Sequence, residues 1–219
     1  MLNTALIQVL GGVSYGEWKA FELTQTKAAL ATSRDQQDDW TQIAAEEKRH
    51  FEGFVARLRA HGGDAERAMA PFRRTLDYFH SGMPSSGIEE GIWMYLGEGV
   101  ANDLLVWLRD VVDAETSAFI DSVLADEVGH EGRAAKQLRT LMAEHPDHRR
   151  EARRAVRRMM RRMLRSGRYA PAPLLAFLRI GKAPQLVAAI VGGFARRLHA
   201  IDAAAAGAAN VADQRVKGY

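Results

Sequence analysis

The chain has 219 residues, no cysteine and a net charge of +3, which suits one sizeable domain with its own core and excludes disulfides, iron–sulfur clusters and thiolate zinc sites. Residues 1–146 carry 14 basic and 23 acidic side chains, a net charge of −9, whereas residues 147–219 carry 16 basic and 4 acidic side chains, a net charge of +12. The two parts of the chain are therefore expected to face different partners.

Four long helices are predicted in the first 146 residues, where strand patterns are few. Ser33 and Asp113 are expected to cap two of them, since a side-chain oxygen at this position accepts from the first free backbone N–H groups. The glycine pair at 62–63 predicts the end of the second helix, and the fourth ends before Pro146. The predicted spans are Thr4–Ala31, Ser33–Ala60, Ile88–Val111 and Asp113–Glu144.

A long connection joins the second and third helices, and short loops join the other two pairs. This connection, residues 62–87, contains Pro71 and is expected to hold only short helical turns near 64–69 and 73–79. Two antiparallel hairpins linked by one long crossover form the ferritin-like arrangement of the four-helix bundle. The sequence therefore predicts an all-α, ferritin-like four-helix bundle over residues 1–146.

Additional helices are predicted after the bundle. We expect a basic helix over 147–166, a break over 167–173 and apolar helical segments from there to residue 202. These helices are expected to pack on the bundle. The Ala- and Gly-rich tail, 203–219, is expected to be flexible. The longest apolar stretch, Leu186–Ala195, is far shorter than the roughly 20 residues of a membrane span. Because the N-terminus also lacks a basic, signal-like segment, we expect a cytoplasmic protein.

One motif occurs twice within the predicted helices. Residues 47–50 and residues 127–130 both read Glu-x-x-His. Each copy follows a carboxylate on the preceding helix, Glu17 for the first copy and Glu98 for the second. A single Glu-x-x-His occurs by chance on the surface of many helical proteins, but the paired spacing favours a pseudo-symmetric site to which each hairpin contributes half.

Metal binding is the chemistry that this pattern indicates. Residues at i and i+3 lie on the same side of a helix, so each motif directs a carboxylate and an imidazole together. Iron accepts both ligand types, and four carboxylates with two histidines in this order are typical of a dinuclear site inside a four-helix bundle. The predicted metal ligands, which are also the catalytic residues through the metals, are Glu17, Glu47, His50, Glu98, Glu127 and His130.

Different roles are expected within this ligand set. Glu47 and Glu127 are expected to bridge the two ions, each histidine to bind one ion, and Glu17 and Glu98 to be terminal ligands. Apolar or small neighbours are expected to line the inward face around them; these are Ile43, Ala44, Phe51, Phe54, Leu124, Ala125 and Val128.

Other acids and histidines fit the site less well. Glu22 and Asp103 each lie five residues after a predicted ligand, about 140° further round the helix. Glu46 and Asp126 adjoin the bridging carboxylates and point elsewhere; one of these acids could orient a ligand histidine. The histidines without partner spacing are read as ordinary surface or loop residues; they are His61, His80, His145, His148 and His199.

Nine arginines form one stripe on the predicted basic helix. Pairs recur every four residues, and apolar side chains tend towards the opposite side, so this helix is amphipathic. Three interpretations compete: the stripe docks on the acidic bundle or is solvated, it contacts RNA phosphates, or it binds an anionic membrane surface. The candidate RNA-binding residues are Arg149, Arg150, Arg153, Arg154, Arg157, Arg158, Arg161, Arg162 and Arg165.

Residues 5–145 resemble a known family. The order of motifs is similar to that of the ferritin-like di-iron proteins grouped with tRNA hydroxylases, and all six ligand positions match. The resemblance implies hydroxylation of the isopentenyl group of 2-methylthio-N6-isopentenyladenosine in tRNA, next to the anticodon. The segments that carry it are Tyr15-Gly16-Glu17, Glu47-x-x-His50, Ala68–Phe72, Gly97-Glu98-Gly99 and Ala125-Asp126-Glu127-x-x-His130.

The leading functional hypothesis is thus a non-haem di-iron, O₂-dependent monooxygenase acting on tRNA. Its cofactors are two iron ions, with manganese suited to the same ligands, and O₂. Electrons are expected from an external donor, a redox partner protein, because no flavin or NAD fingerprint is present. Two alternatives stay open: a ferroxidase or peroxide-removing protein, and a metal-stabilised RNA-binding protein without catalysis. The sequence does not predict the oligomeric state.

Overall fold

The structure is a computed structural model that describes residues 2–84, 87–144, 147–169 and 171–217. These residues form helices and turns without any strand, as the all-α prediction requires. None of the helices searched in this part of the chain is both long and apolar enough to cross a membrane. The helices are α1 (Leu2–Ala29), α2 (Arg34–Ala60), α3 (Ala65–His80), α4 (Gly87–Arg109), α5 (Ala114–Glu144), α6 (His148–Ser166), α7 (Pro171–Ile180) and α8 (Ala183–Lys217).

Helix ends follow the capping residues of the sequence. Ser33 caps α2, and its side chain accepts a hydrogen bond from Gln36 N at 3.3 Å. Asp113 precedes α5, and its Oδ1 accepts from Thr116 N at 3.0 Å. Gly62, with φ of +79°, ends α2 in the left-handed conformation that a glycine adopts without strain. These caps confirm the predicted boundaries of α2 and α5, although residues 145–146 lie outside the described part of the chain.

Helix α3 corrects the prediction for the crossover. One continuous helix with Pro71 in its interior replaces the two short turns expected at 64–69 and 73–79. Asp64 caps it, because its Oδ1 accepts from Arg67 N at 2.8 Å. The buried side chains of α3 hold it against α1, and this packing outweighs the helix-breaking tendency of proline.

Contacts divide the chain into two compact units, and the first contains α1, α2, α3 and α7. It comprises Met1–Gly82, Val111–Phe119 and Leu164–Ala183. Within it α1 packs against α2, α3 and α7. A Cβ atom added to Gly11 would lie 2.5 Å from the backbone of Ala68, and one added to Gly12 would lie 2.9 Å from the ring of Phe72. Two glycines on α1 therefore allow α3 to approach its backbone.

The second unit contains α4, most of α5, α6 and α8. It comprises Met83–Asp110, Ile120–Met163 and Pro184–Tyr219. Five successive side chains of α4, from Ile92 to Leu96, are buried. A helical segment that is buried all round in this way belongs to a core. Gly91 faces Leu138 of α5, since an added Cβ would lie 3.3 Å from Leu138 Cδ1.

The C-terminal helices are distributed over both units. Helix α7 belongs to the first unit, and α6 and α8 belong to the second. Helix α8 runs to Lys217, so the backbone of most of the expected tail is helical, and its flexibility stays a prediction. The division into a bundle at 1–146, packed helices at 147–202 and a tail at 203–219 also stays a prediction; residue 170 of the expected break and residues 218–219 lie outside the described part.

Candidate metal centre

Three predicted ligands converge in the first unit. Glu17 on α1 and Glu47 and His50 on α2 are buried, with exposed fractions of 9%, 6% and 1%. His50 Nδ1 lies 3.7 Å from Glu17 Oε2 and 3.7 Å from Glu47 Oε2. One ligand atom from each of the three residues lies within 4.8 Å of the other two. The i, i+3 spacing on α2 has therefore brought a carboxylate and an imidazole to the carboxylate of α1.

The second unit repeats part of this arrangement. Glu127 and His130 are buried on α5, and His130 Nδ1 lies 3.3 Å from Glu127 Oε1. Glu98 lies on α4 of the same unit; its side chain is half-buried, and its Oε2 atom is inaccessible to solvent. Both copies of Glu-x-x-His thus place their acid and imidazole together.

Burying this many ionisable groups has a cost that a cation offsets. Moving an isolated carboxylate from water into a protein interior is strongly unfavourable, and such groups are usually paired, protonated or metal-bound. Carboxylate oxygens and neutral imidazole nitrogens are ligands that iron and manganese accept. The donor set at Glu17, Glu47 and His50, repeated by Glu127 and His130, fits a divalent metal.

The surroundings match the expectation on α2 but not throughout α5. Ile43, Ala44 and Phe54 are buried as predicted, and Phe51 and Leu124 are partly buried. Val128 is 75% exposed and Ala125 is exposed. Val128 lies one residue after Glu127, and Ala125 lies two residues before it. At both positions the helical period of about 3.6 residues turns the side chain away from the ligand face.

Tyr15, two residues before Glu17, is tied to α3. Its hydroxyl donates to Asp77 Oδ1 at 2.8 Å. Burial, as the larger cause, and this hydrogen bond, as the smaller one, raise the pKa of Tyr15 to about 12. Glu22 pairs with Lys19 at 2.5 Å, and its exclusion from the ligand set stays a prediction.

The histidines without partner spacing were expected to be ordinary surface or loop residues, and they have different surroundings. His148 is half-buried, and its Nδ1 lies 2.5 Å from Leu141 O. His61 Nε2 lies 3.0 Å from Asp113 Oδ2, which joins the end of α2 to the cap of α5 within the first unit. Burial, with the positive charge of Lys19, lowers the pKa of His80 to about 4. His199 is exposed as expected, and His145 lies outside the described residues.

The sequence patterns did not predict one ion-pair network, which lies largely buried in the second unit. Arg197 of α8 is 7% exposed and bonds to Asp103 of α4, with Nη1 to Oδ2 at 2.8 Å, and to Glu131 of α5, with Nε to Oε1 at 2.9 Å. Burial alone would lower the pKa of Arg197, but the hydrogen bonds to Glu131 and Asp103 raise it. The signal in the sequence is a pair of glycines, Gly99 and Gly193, which leave room for these side chains.

The arginine stripe lies on the solvent side of α6. Ala152, Ala155 and Met159 are buried on the opposite side, and eight of the nine arginines are exposed, with Arg162 half-buried. Arg153 Nη2 lies 3.4 Å from Asp202 Oδ1, and Arg158 Nη2 lies 2.6 Å from Glu89 Oε2. Acidic groups of the second unit therefore engage part of the stripe, while most of its guanidinium groups face outward.

Comparisons with known proteins agree with this fold. The chain is similar to protein 19 from Synechococcus, a solved structure described as having aldehyde deformylating oxidase activity. The TM-score is 0.58 at 21% sequence identity, with 97% of this chain and 96% of that chain covered. No curated protein matches the chain significantly. Residues 1–170 match the family described as the ferritin-like domain of actinomycetes, and the chain therefore belongs to this family of ferritin-like proteins.

Proposed function

We propose that this protein is a non-haem di-iron enzyme that uses O₂ to oxidise or hydroxylate a substrate. The observation that carries the proposal is the convergence of Glu17, Glu47 and His50 in a buried setting. The second Glu-x-x-His, with Glu127 and His130 3.3 Å apart, supplies the matching half. Manganese suits the same donors.

Six side chains would hold the two ions. The residues that would supply the ligands are Glu17, Glu47, His50, Glu98, Glu127 and His130. Iron bound in this way would supply the reduction of O₂ and the transfer of oxygen to a C–H bond, with electrons from an external donor. The ligands lie on long helices rather than loops, and this rigid support holds a metal site in a fixed geometry.

Burial of the proposed ligands would keep water away from the metal site. Glu17, Glu47, His50, Glu127 and His130 are all 9% exposed or less. A dry site strengthens the electrostatic interaction between carboxylates and a cation, and it protects reactive species from water. The side chains would thus favour metal binding and limit unproductive reactions.

The substrate that we propose is an isopentenylated adenosine of tRNA. Two observations support it: the motifs resemble the tRNA hydroxylase group, and the arginine stripe of α6 faces outward. Guanidinium groups bind phosphates well, and contacts of this kind would position an RNA without reading its sequence. Unpaired bases of a loop can be splayed out towards an enzyme, and an anticodon-loop adenosine is such a base.

Oxygen uptake with product analysis tests this function. The protein is first loaded with Fe²⁺ in the absence of oxygen. It then receives O₂, an external reductant and tRNA that carries the isopentenyl group, and the tRNA nucleosides are analysed by mass spectrometry. We expect a product heavier by one oxygen atom, no product with Glu47→Ala, and normal product with Glu52→Ala. Glu52 is an exposed acid of the same helix, paired with Lys48 at 3.8 Å.

The other outcomes discriminate the alternatives. Oxygen uptake that yields ferric iron and no RNA product would replace hydroxylation with ferroxidase or peroxide chemistry. Binding of tRNA without any oxygen uptake would indicate a metal-stabilised RNA-binding protein. Oxygen uptake without tRNA binding would overturn the substrate and keep the oxidase.

A further inference from the structure

The second unit contains a salt-bridge network whose residues on α4 and α5 are close in sequence to the proposed metal ligands. Arg197 of α8 uses three nitrogens for four contacts with two carboxylates. To Asp103 these are Nη1–Oδ2 at 2.8 Å and Nη2–Oδ1 at 3.3 Å. To Glu131 they are Nε–Oε1 at 2.9 Å and Nη2–Oε2 at 3.2 Å. One guanidinium therefore joins three helices: α4, α5 and α8.

The network is built into the interior rather than placed on the surface. The side chains of Arg197 and Asp103 are each 8% exposed, and that of Glu131 is 29% exposed. Buried charges are retained only where their partners are well placed. The planar fork of arginine can bind two carboxylates with fixed geometry, which a lysine ammonium cannot do.

Two glycines make room for it. A Cβ atom on Gly99 would lie 2.0 Å from Arg197 Nε, and one on Gly193 would lie 1.9 Å from Asp103 Oδ2. Gly99 directly follows the proposed ligand Glu98. The guanidinium is therefore packed against the backbone of α4 at the position next to a ligand.

On α4 and on α5, the residues that contact this network lie within about one helical turn of a proposed ligand. Asn102 lies four residues after Glu98, on the same side of α4, and its Nδ2 donates to Glu131 Oε2 at 3.3 Å. Glu131 directly follows His130 and lies four residues after Glu127. The cross-link between α4 and α5 thus forms where these helices carry their ligands.

We propose that Arg197 is a positioning residue that fixes the spacing of Glu98 on α4 from Glu127 and His130 on α5. This inference rests on the proposed metal site. Arg197 binds no metal itself; it acts by holding Asp103 and Glu131, and with them the two helices, at one separation. Partners that orient metal ligands typically change metal affinity by about 10- to 100-fold when they are mutated.

Cobalt binding tests the proposal without recourse to activity. Co²⁺ is titrated into metal-free wild type, Arg197→Lys and Arg197→Met, and the visible absorption bands report the ligand geometry. We expect both variants to bind Co²⁺ about 10- to 100-fold more weakly, with altered bands. The matched control is Arg153→Met, which removes an exposed pair with Asp202 between α6 and α8 and should leave affinity and bands unchanged.

A milder variant covers the case in which Arg197 variants do not fold. Asp103→Asn preserves size and removes one of the two carboxylates, so it should fold and show a smaller change in the same direction. Folded variants with wild-type Co²⁺ affinity and bands would overturn the positioning role while the metal site stands. Wild type that binds no Co²⁺ would overturn the metal site itself, and the positioning role with it.

Discussion

His50 Nδ1 and Glu17 Oε2 lie 3.7 Å apart, although the two residues belong to different helices of the first unit. Both side chains are buried, and Glu47 lies on the same side of α2 as His50. Two acids and an imidazole in a dry setting are stabilised by a bound cation. The function proposed for this protein follows from that requirement.

The close approach of α1 and α3 can be tested with two glycines of α1. Gly11→Ala should destabilise the protein by about 1 to 3 kcal/mol, because the new methyl group would collide with the backbone of Ala68. Gly16→Ala is the matched control: nothing lies within 4 Å of its added Cβ, so it should stabilise α1 by about 0.5 to 1 kcal/mol. Urea unfolding measures both changes, and equal effects of the two substitutions would contradict the packing.

The cap of α5 predicts a pH-dependent contribution to stability. Hydrogen bonds from Thr116 N, the Thr116 hydroxyl and His61 hold the pKa of Asp113 at about 2, below its ordinary value of 3.8. Because the pKa is lower in the folded state, the ionised group stabilises the fold above about pH 4, and this contribution is lost as the pH falls towards about 2.

The comparison of wild type with Asp113→Asn isolates this charge, since asparagine is also a good N-cap. We expect the variant to be less stable at pH 7 and the difference between the two proteins to shrink between pH 4 and pH 2. Urea unfolding at pH 7, 5, 4 and 3 measures it. A difference that is the same at every pH would show that the charge of Asp113 plays no part.

Removal of metal should lower the melting temperature without abolishing the fold. Metal that binds only the folded state stabilises it by about 2.7 kcal/mol at a free concentration 100 times Kd. For a chain of this size, that corresponds to a shift of roughly 5 to 10 °C. Calorimetry before and after chelation measures the shift, and identical melting curves after verified metal removal would refute it.

The arginine stripe predicts salt-dependent binding of tRNA. Replacing Arg153, Arg157 and Arg161 with alanine should weaken binding and reduce the slope of log K against log salt by about 2 to 3, since each phosphate contact contributes about 0.7 to 0.9. The charge-matched control replaces Arg34, Arg59 and Arg67, which are exposed residues of the first unit. An equal loss of affinity in both triple variants would mean that net charge, not the stripe, binds RNA.

The sequence predicts those features whose determinants are local. Caps such as Ser33 and Asp113 act within one helical turn, and the i, i+3 spacing of Glu47 and His50 places both on one side of α2 whatever the rest of the fold does. The bounds of α2 and α5 and the close pairing within each Glu-x-x-His could therefore be predicted.

Features that depend on distant parts of the chain could not be predicted in this way. Pro71 indicates a break, but the contact of α3 with Gly11 and Gly12 keeps the helix continuous. Arg197 lies 94 residues from Asp103 and 66 from Glu131, and no local pattern connects them. The resemblance suggests a tRNA substrate, whereas the comparisons establish the ferritin-like family.

Metal stoichiometry tests the central claim most directly. Wild type and the double variant Glu47→Ala, Glu127→Ala are loaded with Fe²⁺ without oxygen, freed of excess metal and analysed for iron per chain. The dinuclear site predicts close to two iron ions per chain in wild type, in Glu52→Ala and in the arginine-stripe variant, and a loss of both ions in the double variant. Full loading of the double variant, or no specific iron in wild type, would contradict the metal centre.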